Sequence, residues 1–235
     1  MLMIDEQKDN CGSFRPTIGK PPVGSSTVYN EDCMSVMARY PDKYFDIAIV
    51  DPPYNVGASD GSFGNRGYDS RTSKLKHYAN HDKTPEADYF NELRRVSKNW
   101  IVWGANYYPQ YFEHSGAIIW HKKNDNPLSD CEIAFQSFNK LVKYVWCEWQ
   151  GFLKGGEAGQ RIHPNQKPIK LYEWILINYA KKGDVILDTH LGSGSSRIAA
   201  HKNGFDFVGC ELHKEYYEAE EARFKDFTSQ LRLFG

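Results

Sequence analysis

Apolar positions in this chain fall in short blocks separated by turn-forming residues. DIAIV (46–50) is apolar on both faces, the pattern of a strand in the middle of a parallel sheet. NWIVWGAN and DVILD read the same way, and FDFVGCE forms another strand. GAIIWHKK and CEIAFQSF are further strands, YVWCEWQ pairs with them, and TVYN is a short strand ahead of them all. Helical spacing appears between these blocks. Met34, Val36, Met37 and Tyr40 line one side of a short helix that Pro41 ends. TPEADYFNELRRV opens on Thr84 as N-cap and gathers Tyr89, Phe90, Leu93 and Val96 on one side. PIKLYEWILINYA follows Pro168, GSSRIAAHKNG ends on Gly204, and HKEYYEAEEARFKDFTSQL closes the chain. Strands alternating with helices predict an α/β fold with a doubly wound, mostly parallel sheet.

Two stretches lack periodicity. Residues 1–26 are polar and rich in Gly, Pro and Ser, and are expected to form a disordered arm before a single domain over 27–235. Residues 55–84 form a long loop that carries Arg66, Arg71, Lys74 and Lys76. A loop of that length inside a domain is usually functional or disordered, and a solvated surface and a ligand contact both fit it.

Composition narrows the class. The 235 residues carry a formal charge of -1, with 25% charged and 40% hydrophobic residues, as ordinary globular proteins do. A near-neutral balance argues against a chain coated in nucleic acid while leaving room for a local basic face. Five scattered cysteines without a C-x-x-C pair predict neither a disulfide framework nor a metal site. No apolar run is long enough for a membrane span, and MLMIDEQKDN has no secretion-signal core, so a cytoplasmic location is expected.

Candidate chemistry sits at two strand ends. IVDPPYN (49–55) places a carboxylate, two prolines and an aromatic ring within four positions, Asp51, Pro52, Pro53 and Tyr54. VILDTHLGSGSSRIAA (185–200) reads as strand, glycine loop and helix, in which Gly192 and Gly194 allow close backbone approach to a ligand. Glu211 closes the next strand 23 residues after Asp188, where nucleotide folds bind a ribose diol. The third glycine of the dinucleotide fingerprint is missing, and Asp188 would repel a pyrophosphate. A cofactor with a ribose and a cationic centre suits the two acids better than NAD does. A tight strand-to-helix turn is the alternative reading of the glycines.

IVDPPYN, DTHLGSGSS, FVGCE and RIHPNQKPIKLYEWIL together resemble the DNA amino-methyltransferases that use S-adenosylmethionine. With DPPY ahead of the glycine loop, the order resembles the group called β, a circular permutation of the motifs, and the small adenine-specific enzymes of phages and prophages. The likeness spans roughly residues 27–224. It implies a Rossmann-like class I methyltransferase fold, S-adenosylmethionine as cofactor, DNA as partner, and no metal; a homodimer is carried by the resemblance alone. It implies that Asp51 and the Pro52 carbonyl accept hydrogen bonds from an adenine N6 amine, that Pro53 helps fix the turn, and that Tyr54 stacks on a base flipped from the duplex. By the same likeness Asp188, Leu191, Gly192 and Gly194 form the cofactor loop and Glu211 takes the ribose hydroxyls. Asp32 matches a position that contacts the cofactor's adenine, and a plain N-cap explains it equally well. Asn165, Gln166 and Lys167 flank the cofactor in relatives; ordinary capping is the other reading. His190 stands where many relatives have an aromatic.

The interval 140–162 is too short for an independent recognition domain, yet it interleaves aromatics with basic residues, Lys143 and Lys154 among them. That stretch and the 55–84 loop are expected to contact DNA. The same acceptor geometry serves the N4 amine of cytosine, although Asp rather than Ser in the first position favours adenine. A protein-glutamine or RNA methyltransferase, and an inactive nucleic-acid-binding module, are the more distant alternatives.

Overall fold

A computed structural model describes residues 4–8, 14–18, 24–54, 84–113, 115–122, 129–149, 161–163 and 165–231. Its centre is an eight-stranded sheet. The strands are β3 (Ser26–Tyr29), β4 (Phe45–Val50), β5 (Ser97–Trp103), β6 (Gly116–His121), β7 (Cys131–Gln136), β8 (Val142–Trp146), β9 (Val185–Asp188) and β10 (Asp206–Cys210). Their order across the sheet is β3-β10-β9-β4-β5-β7-β6-β8. The first five run parallel, β7 runs antiparallel to both its neighbours, and β8 is parallel to β6. The mostly parallel sheet read from the sequence is therefore present.

β4 shows why the sequence is apolar in a continuous run. Successive side chains of a strand point to opposite faces, so a strand covered on both sides needs apolar residues throughout. Ala48 and Val50 enter the core beneath α1 (Cys33–Met37) and α2 (Ala87–Val96). Ile47 and Ile49 enter the core that packs α3 (Ile169–Tyr179) and α4 (Ser195–Lys202) against the other face. Each such isoleucine contributes roughly 1.5–3 kcal/mol through burial. The fifth helix, α5 (Lys214–Leu231), lies against α4. Among the described residues no helix is long and apolar enough to cross a membrane.

Three sequence expectations are corrected. The arm over 1–26 contains β1 (Ile4–Lys8) and β2 (Phe14–Ile18), an antiparallel pair, and Ser26 already belongs to β3. Backbone pairing makes that ladder, and the side-chain pattern gives no sign of it. The helix after Pro85 begins at Ala87 with Glu86 as its N-cap, not Thr84. α1 stops at Met37, ahead of Pro41.

The parallel strands deliver their C-terminal ends to one edge of the sheet. The chain moves outward in one direction from β4 to β5 and in the other from β9 to β10, so β4 and β9 flank the topological switch point, where open α/β sheets bind ligands.

One buried ion network fixes the helix behind that edge. Arg197 of α4 donates through Nη1 to Glu220 Oε1 at 2.9 Å and Oε2 at 3.0 Å, and to Glu221 Oε1 at 2.6 Å. Its Nε donates to the Ser26 hydroxyl at 2.8 Å. Glu220 is completely buried, and burial, opposed by Arg197, pushes its carboxyl up to about 7. Arg197→Ala should cost roughly 3–5 kcal/mol, because it strands a buried carboxylate. Urea unfolding measures that loss.

Candidate active site at the sheet edge

Asp51 is the first residue beyond β4. Its Oδ2 accepts a hydrogen bond from Lys167 Nζ, and Lys167 also lies 3.1 Å from Glu132 Oε2. Glu132 Oε1 is in turn 2.5 Å from Lys122 Nζ. Asp51, Lys167, Glu132 and Lys122 thus form a chain of alternating charge. The Lys167 ammonium also sits over the Trp103 ring, 5.4 Å from its centroid. Burial alone would lower the Lys167 pKa, but Asp51 and Glu132 outweigh it, and it stays well above its ordinary value. Burial would raise Glu132, and Lys167 and Lys122 reverse that, leaving it lowered. For Asp51 burial dominates and lifts the carboxyl, with Lys167 opposing. Among the described residues three buried polar atoms here, Asp51 Oδ1, Trp103 Nε1 and Glu132 Oε2, have no hydrogen-bond partner, although Glu132 Oε2 keeps its ion pair with Lys167.

Beside the acid lies a flat aromatic surface. Tyr54 stacks on Tyr107, with ring centroids 4.6 Å apart and planes 7° from parallel. Gly104 makes this possible. Its φ of +66° lies in the left-handed region, and a Cβ there would meet Tyr54 Cδ1 at 2.3 Å and Cε1 at 2.4 Å. Pro52 is buried and Pro53 partly so, which holds the turn between acid and ring.

The glycine loop begins at the end of β9. Asp188 is buried and accepts the His190 N–H at 3.1 Å and the Ser196 hydroxyl at 2.5 Å. Burial, opposed by these two donors, pushes it up to about 7. Glu211 Oε2 accepts the Gly192 N–H and its Oε1 the His213 N–H, both at 2.9 Å. Asp51 and Glu211 both raise Asp188 further, so three carboxylates influence one another across this edge. Leu191 is buried and donates its N–H to Cys210 O at 3.0 Å. Thr189 Oγ1 lies 2.6 Å from the Tyr89 hydroxyl and 2.9 Å from His190 Nδ1. The His190 ring stands edge-on to Tyr89, and burial pushes it down to about 4. His190 is therefore a neutral flat group near pH 7.

The remaining expected residues have these contacts. Lys167, expected beside a cofactor, engages Asp51. Gln166 Oε1 accepts the Ile162 N–H at 3.0 Å, so it braces the HPNQKP turn. Asn165 is exposed and donates its backbone N–H to His163 Nδ1 at 3.2 Å. Gly194 is needed for packing: its φ is +69°, and a Cβ would come within 2.4 Å of Glu220 Cγ. A Cβ on Gly192 would meet the His163 ring at 3.3 Å. Asp32 caps α1, with Oδ1 accepting from Met34 N at 3.0 Å and Ser35 N at 3.1 Å, and its side chain is exposed. Lys143 is exposed on β8, while Arg66, Arg71, Lys74, Lys76 and Lys154 lie outside the described residues. Glu132, Lys122, Trp103, Gly104 and Tyr107 escaped the sequence reading. Glu132 shares the strand face of Ala134 and Gln136, both buried, but its strand's sequence does not mark that face as the inner one.

Gly104→Ala should destabilise the fold by about 1–3 kcal/mol and dislodge Tyr54 from Tyr107. Urea unfolding and near-ultraviolet circular dichroism report the two effects.

Comparison with known proteins agrees with this geometry. Residues 138–222 match a family model described as DNA methylase. The type II methyltransferase M.HinfI of Haemophilus influenzae is 23% identical over 248 residues, covering 86% of this chain and 68% of that protein. The type II methyltransferase M2.MboI of Moraxella bovis is 24% identical over 250 residues, covering 87% and 89%. In fold, the chain resembles the crystal structure of an M1.HpyAVI–SAM complex, with TM-score 0.56, 19% identity, and 85% and 100% coverage. It also resembles PvuII DNA methyltransferase (cytosine-N4-specific), with TM-score 0.58, 13% identity, and 88% and 93% coverage. The resemblance to DNA amino-methyltransferases carried by the motifs is borne out; the phage-borne subtype is not addressed by these matches.

Proposed function

We propose that this chain, a relative of the DNA amino-methyltransferases, transfers a methyl group from S-adenosylmethionine to an exocyclic amine of a DNA base. The observation that carries the reading is the free oxygen of Asp51: a buried acceptor beside an aromatic stack, at the switch point of the sheet. The donor set of the glycine loop fits the cofactor. Asp188 and Glu211 offer carboxyl oxygens to hydroxyl and cationic groups, and their charge disfavours phosphates. When bound, the cofactor supplies a methyl group activated by its sulfonium.

An exocyclic amine is a poor nucleophile because its lone pair is delocalised into the ring. Asp51 Oδ1 and the Pro52 carbonyl accept its two N–H groups, which localises the lone pair and stabilises positive charge growing on nitrogen. Pro52 and Pro53 hold these acceptors in place, so little reorganisation precedes reaction. Tyr54 supplies a face for the flipped base, and base–aromatic stacking contributes about 1–3 kcal/mol. Glu211 positions the ribose and Asp188 the cationic part of the cofactor, with Leu191 and Gly192 shaping the loop and His190 adding a neutral wall. Asp32, the N-cap of α1 just after β3, remains a candidate for the cofactor's adenine. Lys143, exposed on the edge strand β8, supports a DNA-facing role for that edge, and the basic residues of 55–84 and Lys154 are further candidates by sequence alone.

Asp51 as the first residue of DPPY favours adenine N6 as the target. Cytosine N4 is the second reading, supported by the likeness to PvuII DNA methyltransferase. Incubation with labelled cofactor and unmethylated DNA, followed by nucleoside analysis, separates them: N6-methyladenine is expected, and N4-methylcytosine selects the alternative. Asp51→Ala should lower the transfer rate by roughly 10²–10³-fold.

Asp188 adds a pH prediction. A cationic ligand favours its ionised form, so binding below about pH 7 should release a proton, and affinity for S-adenosylmethionine should rise as pH passes through that value. Calorimetric titration in two buffers of different ionisation enthalpy measures the release, and buffer-independent heats count against it.

A further inference from the structure

We infer that Lys167, anchored by Glu132, is a positioning residue for Asp51: it engages Oδ2 and thereby presents Oδ1 to the substrate amine. The inference rests on the reading of Asp51 as the amine acceptor and assigns the HPNQKP lysine to the reacting side of the site.

The geometry sets this pair apart from an ordinary structural ion pair. The Lys167 side chain is only 3% exposed, and its ammonium faces Asp51, Glu132 and the Trp103 ring. Three groups from three parts of the chain thus fix its direction. Glu132 comes from β7, the strand inserted antiparallel beside β5, and is itself held by Lys122 at the end of β6. At the far end of this chain of charges, one oxygen of Asp51 is bound and the other is buried with no partner among the described residues; Glu132 Oε2 also lacks a hydrogen bond but keeps the Lys167 ammonium at 3.1 Å, so Asp51 Oδ1 is the carboxylate oxygen of the network left without a cation. A salt bridge serving stability alone would be expected to leave neither oxygen buried and unsatisfied. An unsatisfied acceptor held in one direction is what a preorganised site requires. A cofactor carboxylate would have to compete for Lys167 with two carboxylates already in place.

Charge state follows the same logic. The groups that bear on Asp51 are Lys167 before α3, Glu132 of β7, Lys122 after β6, Tyr54 after it, Tyr108 beside Tyr107, Tyr172 of α3 and Asp188 of β9. Burial and Glu132 push the Asp51 carboxyl up, and Lys167 is the foremost group pulling it down. Only the carboxylate accepts both a Lys167 and an amine hydrogen, so activity falls as pH drops through the Asp51 pKa. Removing Lys167 raises that pKa and moves the acid limb of the rate profile to higher pH.

The test is single-turnover methyl transfer to DNA across pH at saturating cofactor, with cofactor affinity measured in parallel. Lys167→Met should displace the acid limb upward by about one pH unit or more, a loss of at least about tenfold on the acid side. The rate should recover toward wild type in alkali, with cofactor affinity changed by no more than about twofold, a factor that leaves the methionine pocket intact. Lys167→Arg should keep the limb near its wild-type position. Lys167→Met/Glu132→Gln removes the stranded acid as well and, if the single variant fails to fold, reads a smaller shift in the same upward direction, because Glu132 also pushes Asp51 up but less than Lys167 pulls it down. A rate loss uniform across pH, or weakened cofactor binding with the limb unmoved, overturns the inference. The outcomes stay separable from the functional reading. If Asp51→Ala is inactive while the limb stays fixed in Lys167→Met, only the role of Lys167 fails; if wild type methylates no DNA amine, both do.

Discussion

The structure depends on one constraint: β4 must be apolar on both faces from Ile47 to Val50 and polar the moment it leaves the sheet. Its neighbours β5 and β9 pair with it in parallel, and among the described residues their only side-chain partners to it meet Asp46 near its start, where Lys98 and the Val185 N–H reach the carboxylate. Asp51 is the first residue past that shielding. It emerges where the winding of the sheet reverses, beside the end of β9. The acid is therefore largely desolvated, and the charges placed around it moderate that cost. Lys167 returns a positive charge, Glu132 keeps Lys167 charged and oriented, and Lys122 offsets Glu132. Four charges summing to zero let a carboxylate exist at an apolar strand end.

The glycine loop solves a related problem by other means. Asp188 also ends a buried strand, but its hydrogen-bond partners, the Ser196 hydroxyl and the His190 N–H, are neutral. Its carboxyl consequently titrates near neutrality, whereas Asp51 is held by a lysine. Two acids at neighbouring strand ends are thus prepared differently, one to keep a fixed acceptor and the other to respond to an incoming cation. Glu211 has a third arrangement, with each oxygen tied to a backbone N–H, so it shapes the loop it belongs to.

Much of this was legible in the sequence because the relevant signals are local. The double-faced run in β4, the Tyr89–Phe90–Leu93–Val96 side of α2 and the DPPY and glycine-loop ends need only neighbouring residues to interpret. What stayed hidden depends on residues brought together by the sheet. Glu132 inside CEIAF reads as a strand position facing either way until Lys167 arrives from a distant loop. Gly104 looks like any loop glycine until Tyr54 lies over it. Gly194 suggested a ligand, and the bulk that excludes a side chain there proves to be Glu220 of α5. The Thr84 cap failed for a smaller reason: the helix starts one residue beyond Glu86, and neither residue is compelled by a side-chain hydrogen bond to be the cap.

The order of strands has a consequence for how the chain folds. β4 finds one parallel neighbour, β5, soon after it is made, but its other neighbour, β9, lies about 140 residues further on, as the Val185 N–H to Asp46 carboxylate bond spans 139 positions. β3 waits longer still: Ser25 and Asp206, joined by a hydrogen bond, are 181 positions apart. Loop-closure entropy must be met before either contact forms, so half the sheet assembles last and slowly. During synthesis the strand that ends in Asp51 carries an open apolar edge until the C-terminal segment leaves the ribosome. That edge, in the nascent chain, is where the protein is most exposed to mispairing and to chaperone capture.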